Sequence, residues 1–257
     1  MGKVITIVNQ KGGVGKTTTA INLSACLATA ERKTLLLDLD PQGNAGSGMG
    51  VRTHAAGKNI YGVLIGQTDL KSNIVETELD CLSIVPSDIN LIGAEVELVN
   101  SLSREKRLRE ALVQVKGEYD FIIIDCPPSL GILTINSLTA ADSILIPLQC
   151  EYYAMEGLGL LIKTVKMIRK GFNPGLTIEG ILLTMFDSRT LLSRRVLQEM
   201  RKHFKEKLFE TIIPRNIKLS EAPSYGMPII LYDIHSKGAE AYLKLAKEII
   251  AHDQRSA

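Results

Sequence analysis

The sequence has little of what marks several protein classes. Aromatic residues make up 5% of its 257 residues, tryptophan is absent, and there are four cysteines: Cys26, Cys81, Cys126 and Cys150. These form no Cys-x-x-Cys pair and no zinc-site spacing, which argues against small disulfide- or zinc-stabilised domains. No run approaches the roughly 18 consecutive apolar residues of a membrane span. We therefore expect reduced thiols and a cytoplasmic protein.

A large charge of either sign is also lacking. Thirty Lys and Arg stand against 28 Asp and Glu, a formal net charge of +2, which by itself indicates neither a nucleic-acid nor a membrane partner. Hydrophobic residues make up 45% of the chain and charged residues 23%, as in ordinary globular proteins. This length is typical of one α/β domain, so we predict a single domain over residues 1–257.

Short apolar runs alternate with longer helical stretches, as in βαβ units. The predicted strands are residues 4–8, 34–39, 82–85, 121–125, 143–148, 178–184 and 211–213. The predicted helices are residues 17–29, 103–115, 156–169, 191–208 and 239–251. The glycine-rich segment 43–72 is predicted to be mostly loop. The expected fold class is α/β, with a mostly parallel sheet flanked by helices on both faces.

The strongest motif follows the first predicted strand. Residues 11–18 read Lys-Gly-Gly-Val-Gly-Lys-Thr-Thr and open a helix, where backbone N–H groups and the helix dipole bind phosphate. Lys16 is placed to reach the β- and γ-phosphates, and Thr17 to ligate Mg²⁺. The predicted nucleotide-binding residues are Lys11, Gly12, Gly13, Val14, Gly15, Lys16, Thr17 and Thr18.

Carboxylates follow two of the predicted strands. Asp125 ends an apolar strand, an arrangement that holds Mg²⁺ through water. Asp38 and Asp40 lie at the C-terminal end of the second predicted strand, at the edge where open α/β sheets bind ligands. Asp40 is our candidate for orienting the attacking water and a candidate metal ligand, and Asp38 for assisting through Mg²⁺ or the water network. The alternative for Asp40, which precedes Pro41, is turn capping.

In the phosphate loop, Lys11 is an additional lysine, and Gln10 stands where the standard motif has glycine. With this loop and with residues 38–44, 149–157, 183–190 and 214–225, the sequence resembles the deviant Walker A ATPases, and among them ParA proteins of the Soj type. The resemblance implies a slow ATPase that uses ATP and Mg²⁺ to partition chromosomes or plasmids. It also implies an ATP-dependent homodimer in which Lys11 reaches the partner's phosphates, and adenine contacts from Pro214 and Asn216.

Positive charge is concentrated in one segment. Residues 188–208 contain seven Lys and Arg against two Glu. Such clustering is typical of binding to the DNA backbone, although a charged helix is more often simply solvated. The resemblance implies that the dimer binds duplex DNA non-specifically through Arg189 and Lys218, with Arg194 and Arg195 as neighbouring candidates. It also implies a ParB-like partner that stimulates hydrolysis, and association with the nucleoid.

Alternative functions remain open on the sequence. One is a membrane-positioning ATPase of the MinD kind, but the C-terminal helix mixes charges of both signs, so no stable membrane association is expected. Another is an ATP-gated DNA-binding regulator whose output is contact with another protein. A third, an ATPase whose dimer shares an iron–sulfur cluster, is disfavoured because the cysteines do not stand where the paired ligands belong.

Overall fold

A computed structural model of the protein describes residues 2–51, 57–151 and 154–256. Its strands are β1 (Lys3–Ile7), β2 (Thr34–Asp38), β3 (Val75–Glu76), β4 (Leu82–Val85), β5 (Phe121–Asp125), β6 (Ser143–Gln149) and β7 (Thr177–Thr184). They form one sheet in the order β3-β4-β2-β5-β1-β6-β7. The pairing is parallel throughout except between β3 and β4. The predicted mostly parallel sheet is confirmed.

Helices cover both faces of this sheet. They are α1 (Lys16–Thr29), α2 (Asn44–Gly48), α3 (Ile60–Leu64), α4 (Leu91–Glu97), α5 (Arg107–Leu112), α6 (Ile132–Ala140), α7 (Ala154–Gly171), α8 (Leu191–Phe204), α9 (Lys218–Glu221), α10 (Ile229–Tyr232) and α11 (Lys237–Ser256). Successive strand residues face opposite cores: Leu35 and Leu37 pack in one, and Leu36 in the other. Because both faces are buried, the strands read as continuous apolar runs.

The predicted strand 211–213 is wrong. This segment runs beside β7 but bonds to it only intermittently, as where Ile213 N–H donates to the Leu183 carbonyl at 2.9 Å. The N–H groups of Glu210 and Thr211 donate instead to the Glu248 carboxylate, at 2.8 and 3.1 Å. The Glu248 side chain of α11 thus accepts hydrogen bonds from backbone N–H groups that would otherwise be available to pair with a neighbouring strand.

Several predicted helix bounds are also corrected. The helix predicted over 103–115 is broken, because Ser103 has a φ of +54° and a 3₁₀ turn precedes α5, which ends at Leu112. The one predicted over 191–208 ends at Phe204 and continues as a 3₁₀ turn. Segment 43–72 contains α2 and α3 and is therefore less of a loop than predicted; its residues 52–56 lie outside the described residues.

The sequence analysis missed α6, which follows β5. Its polar residues are buried rather than solvated, so the sequence lacks an amphipathic pattern. The Asn136 side-chain amide donates to the carbonyls of Arg104 and Ile132 at 2.8 and 3.0 Å. The Ser137 hydroxyl accepts from the Cys126 thiol at 2.9 Å. Hydrogen bonds thus satisfy these side chains inside the core.

The apolar stripe of α11 packs against the domain. Tyr242, Leu245 and Ile249 are buried, and the Tyr242 hydroxyl is 3.1 Å from that of Thr19 on α1. Within the described residues, no helix combines the length and apolar character needed to cross a membrane. The stripe is therefore part of the core in this structure.

Candidate nucleotide site

The phosphate loop joins β1 to α1 at the carboxyl edge of the sheet. Gly13 and Gly15 have φ angles of +74° and +87°, a left-handed conformation that favours glycine. Apart from each glycine itself and its two chain neighbours, no atom of the described residues lies within 4 Å of where a Cβ would stand on Gly12 or Gly13. The Thr184 hydroxyl at the end of β7 donates to the Val14 carbonyl at 2.8 Å. The loop is thus anchored at Val14 and open at its glycines, as phosphate binding requires.

Lys16 begins α1 and points back into this loop. It is buried, and its Nζ donates to the Lys11 carbonyl at 3.1 Å. Burial lowers its pKa, while Asp125, Cys126 and Asp40 act in the opposite direction. The effect of burial is the largest, so the pKa of Lys16 is lowered, and the three neighbouring groups offset only part of the cost of desolvating the ammonium. The Lys16 side chain can exchange its hydrogen bond to the Lys11 carbonyl for one to a bound phosphate while it stays within the loop.

Asp125 ends β5 between two neighbouring strands. The parallel register pairs it with Asp38 on one side and with Ile7 on the other. It is fully buried, and neither carboxylate oxygen has a hydrogen-bond partner among the described residues. Burial raises its pKa well above the usual value, and the charge of Asp38 adds to this, whereas Thr17 and Lys16 lower it. A buried carboxylate without partners indicates a cation site.

These residues fit a magnesium ion. Mg²⁺ prefers oxygen ligands, keeps several waters and is usually held by one or two carboxylates together with substrate phosphates. Asp125 and the Thr17 hydroxyl are the side chains that would hold it. No group of three or more potential metal-ligating His, Cys, Asp or Glu occurs in the described part of the chain, so phosphate and water would supply the remaining ligands.

Asp38 holds the loop that follows β2. Its carboxylate accepts hydrogen bonds from the backbone N–H groups of Asp40, Ala45 and Gly46, at 3.0, 3.0 and 3.2 Å. Burial raises its pKa, although these hydrogen bonds lower it. Since both oxygens are engaged by the backbone, Asp38 fixes the position of Asp40. The sequence analysis did not foresee this anchoring, because the partners are backbone groups.

Asp40 lies at the mouth of the site. It is nearly buried, and its Oδ1 accepts from the Gln42 N–H at 3.0 Å. The Ser87 hydroxyl after β4 donates to its backbone carbonyl. The turn-capping bond considered for Asp40 is thus present in the structure, and it uses only Oδ1. Ser87 was missed from the sequence, because a serine after a strand carries no specific signal.

A small cavity lies beside the start of α1. Its volume is about 100 Å³, and it is lined by Gly15, Thr18, Thr184, Met185, Ile213, Pro214, Arg215, Asn216, Leu219, Ser220 and Tyr242. Phe186 N–H donates to the Ile213 carbonyl and Arg215 N–H to the Phe186 carbonyl, both at 3.0 Å. These bonds bring the predicted base contacts, Pro214 and Asn216, next to the phosphate loop. Met185 and Tyr242 also line this cavity. The sequence analysis missed both, because no sequence motif contains them.

The predicted DNA contacts are exposed at the same edge of the sheet. The side chain of Arg189 is 86% exposed, and its guanidinium donates two hydrogen bonds to Asp187, at 2.9 and 2.7 Å. The Lys218 ammonium lies 3.2 Å from the Glu221 carboxylate and 5.4 Å from the Tyr232 ring centroid. Their two loops meet through the bond between Phe186 and Arg215.

The other basic residues lie on α8. Ser193, Val196 and Met200 form its buried face, which leaves Arg194 and Arg195 exposed. Arg194 Nε donates to the Ser188 carbonyl at 2.8 Å, so this side chain folds back over the start of the helix. All four predicted DNA contacts are therefore exposed on the surface of the structure.

The sequence is similar to those of a known protein family and of several characterised proteins. Residues 2–178 match the AAA domain family AAA_31. The chain is 58% identical to the chromosome partitioning protein ParA of Myxococcus xanthus, over 98% of the chain and 89% of that protein. It is 56% identical to the sporulation initiation inhibitor protein Soj of Bacillus subtilis, over 98% of the chain and 100% of that protein.

One similar solved structure contains a nucleotide and a metal. It is cobyrinic acid a,c-diamide synthase from Mycobacterium smegmatis with bound ADP and magnesium. It is 36% identical to this chain with a TM-score of 0.87, and the alignment covers 100% of this chain and 97% of that one. The likeness therefore extends over the whole sheet and its helices.

Proposed function

The chain belongs to the ParA/Soj family of chromosome-partitioning ATPases, and from that premise we propose that it is a nucleotide-gated switch that binds duplex DNA as an ATP-bound dimer. As a member of this family it binds ATP with Mg²⁺ and hydrolyses the ATP. The observation that carries the proposal is that the buried nucleotide site and the exposed basic loops meet at the end of β7. There Thr184 bonds to Val14 of the phosphate loop, and Phe186, two residues later, bonds to Arg215.

The roles of the buried residues follow from their contacts. Lys16 exchanges the Lys11 carbonyl for the β- and γ-phosphates. Thr17 and Asp125 would hold Mg²⁺, which would supply positive charge to the bound phosphates. Asp40 keeps Oδ1 on the Gln42 N–H, and its Oδ2 orients the attacking water. Asp38 keeps the Asp40 loop in place.

Dimer formation controls DNA binding. Lys11 stands at the exposed front of the phosphate loop, from which it reaches the phosphates held by a second subunit. Pro214 and Asn216 contact adenine in the cavity beside α1. Two copies of a weak basic surface bind one duplex far more tightly than a single copy does, so dimer formation switches DNA binding on.

The exposed basic residues contact the phosphate backbone. Aromatic residues make up 5% of the sequence and tryptophan is absent, which favours binding to duplex DNA independent of its sequence over stacking on single strands. The protein is then cytoplasmic and associated with the nucleoid. A ParB-like partner stimulates hydrolysis, the dimer separates, and the DNA is released.

Duplex DNA binding without nucleotide, with ADP and with ATP tests the proposal, each at low and moderate salt. We expect binding only with ATP, and its loss at higher salt. Equal binding in all three states would show that nucleotide does not gate the basic surface. No binding at all would contradict the DNA role and leave a function through protein contacts.

A further inference from the structure

Glu151 contacts the lysine that the proposed function assigns to the partner's nucleotide. The Lys11 ammonium is paired with the Glu151 carboxylate of the same chain. The two side chains are 47% and 44% exposed, so solvent and other anions reach both. The pair joins the front of the phosphate loop to the turn that follows β6.

Neighbouring backbone contacts make this pairing a consequence of the fold. β6 lies beside β1, and the Asn9 side-chain amide donates to the Pro147 carbonyl at 2.7 Å. The Asn9 Oδ1 accepts from the Lys11 N–H at 3.0 Å. Glu151 N–H donates to the Gln149 carbonyl at 2.8 Å, in a tight turn. Both backbones are therefore fixed before the side chains meet.

The pair conflicts with the role of Lys11 in a dimer. An ammonium held by its own Glu151 cannot also neutralise phosphate across a subunit interface, so the pair has to open when the dimer closes. Exposed ion pairs are weak and are screened by salt. An opposing triphosphate of higher charge can therefore displace Glu151, whereas solvent alone does not.

We propose that Glu151 is a positioning residue that holds Lys11 in cis in the monomer and releases it to the partner's ATP phosphates on dimerisation. This inference rests on the proposed function, because it presupposes the trans role of Lys11. Glu151 contributes no group to the reaction itself. Because the pair has to open before the dimer closes, Glu151 raises the ATP concentration at which the dimer forms.

The test measures dimer formation against ATP concentration by analytical ultracentrifugation. An Asp40→Ala background prevents the ATP from being consumed. We expect Glu151→Gln to lower the ATP midpoint by about two- to five-fold at low salt, and the shift to shrink at higher salt. Glu156→Gln is the matched control, since it removes an exposed carboxylate on α7 close in sequence, and it should leave the midpoint unchanged.

A double-mutant cycle separates positioning from a general charge effect. In a Lys11→Ala background, Glu151→Gln should no longer shift the midpoint. The inference is overturned if the single variant has the parental midpoint, or if the shift persists without Lys11. If the Asp40→Ala protein forms no dimer at any ATP concentration, the proposed function fails first, and the inference fails with it.

Discussion

The nucleotide site and the basic loops beside it hold their charges in opposite ways. Lys16, Asp38, Asp40 and Asp125 are at most 8% exposed, and their positions are fixed by backbone hydrogen bonds and strand register. Arg189 is 86% exposed, and its ion pair in the described part of the chain is with the nearby Asp187. The charges of the nucleotide site are desolvated, and each has its own partners. The charges of the basic loops are solvated, and their effects on binding add up.

This difference determines how each surface responds to change. Removing one partner from a buried charge group leaves the others uncompensated, so a single substitution should abolish a function. Removing one exposed charge subtracts one phosphate contact among several. Substitutions at the nucleotide site should therefore act in an all-or-none manner, and those on the basic loops in graded steps.

The largest expected effect is from Lys16→Ala. The substitution removes the phosphate-binding ammonium and its compensation of Asp125, so ATP affinity should fall by at least about 100-fold. A fluorescent ATP analogue measures this directly. Lys11→Ala is the matched control: it removes an exposed lysine from the same loop and should leave binding by the monomer close to normal. Nearly equal losses in both variants would contradict the comparison.

Asp40→Ala should separate binding from hydrolysis. Loss of the water-orienting oxygen should slow single-turnover hydrolysis by about 100-fold or more, while ATP and DNA binding persist. Unchanged ATP binding by the same variant shows that the phosphate loop is intact. Turnover that continues at the normal rate would remove Asp40 from this role.

Asp125→Asn should make the nucleotide-free protein more stable at neutral and higher pH. The raised pKa means that folded Asp125 retains a proton that the unfolded chain releases, so the free energy of unfolding falls as pH rises from about 4 through the raised pKa. Asparagine does not ionise, so we expect the variant to be more stable than the parent at pH 8 and no more stable than the parent near pH 4.

Urea denaturation without nucleotide at several pH values measures this stability. Asp80→Asn, which alters an exposed carboxyl before β4, should leave the pH dependence unchanged. The same Asp125→Asn protein should lose the stabilisation that Mg²⁺ and ATP give to the parent protein. A parallel pH dependence of parent and variant would show that Asp125 is not the group that binds the extra proton.

The smallest effects should come from the basic loops. Arg189→Glu should weaken DNA binding by about ten-fold and reduce the slope of log affinity against log salt by about 1, while ATP-dependent dimerisation is unchanged. Lys244→Glu on α11 is the matched charge reversal and should alter neither value. An unchanged salt slope would place the DNA surface elsewhere.

Asp187→Asn should change DNA affinity in the opposite direction from Arg189→Glu. It releases the Arg189 guanidinium from a carboxylate and removes one negative charge from the loop. We expect DNA binding to strengthen by about two- to three-fold at low salt. Filter binding, with the three proteins titrated side by side, measures their DNA affinities. We expect the affinity to be highest for Asp187→Asn, intermediate for the parent protein and lowest for Arg189→Glu.

The sequence analysis predicted those parts of the fold that depend on local pattern. The buried parallel strands read as apolar runs, and the phosphate loop follows β1 directly, so β1, β2 and β5 were found, and the residues predicted for the site lie at the carboxyl ends of these strands. The prediction failed where a distant side chain completes the bonding, as for Thr211 with Glu248. It also failed at α6, whose buried polar residues hide the helical pattern.

The sequence by itself determined the chemical groups of this protein: a glycine loop with Lys16 and Thr17, and an apolar strand ending in Asp125. The tertiary structure alone decided how they are used. Strand register sets Asp125 beside Asp38, backbone N–H groups engage both oxygens of Asp38, and adjacent loops bring Glu151 to Lys11. These contacts join residues far apart in the chain, so no local pattern encodes them, and burial and charge pairing exist only once the sheet has formed.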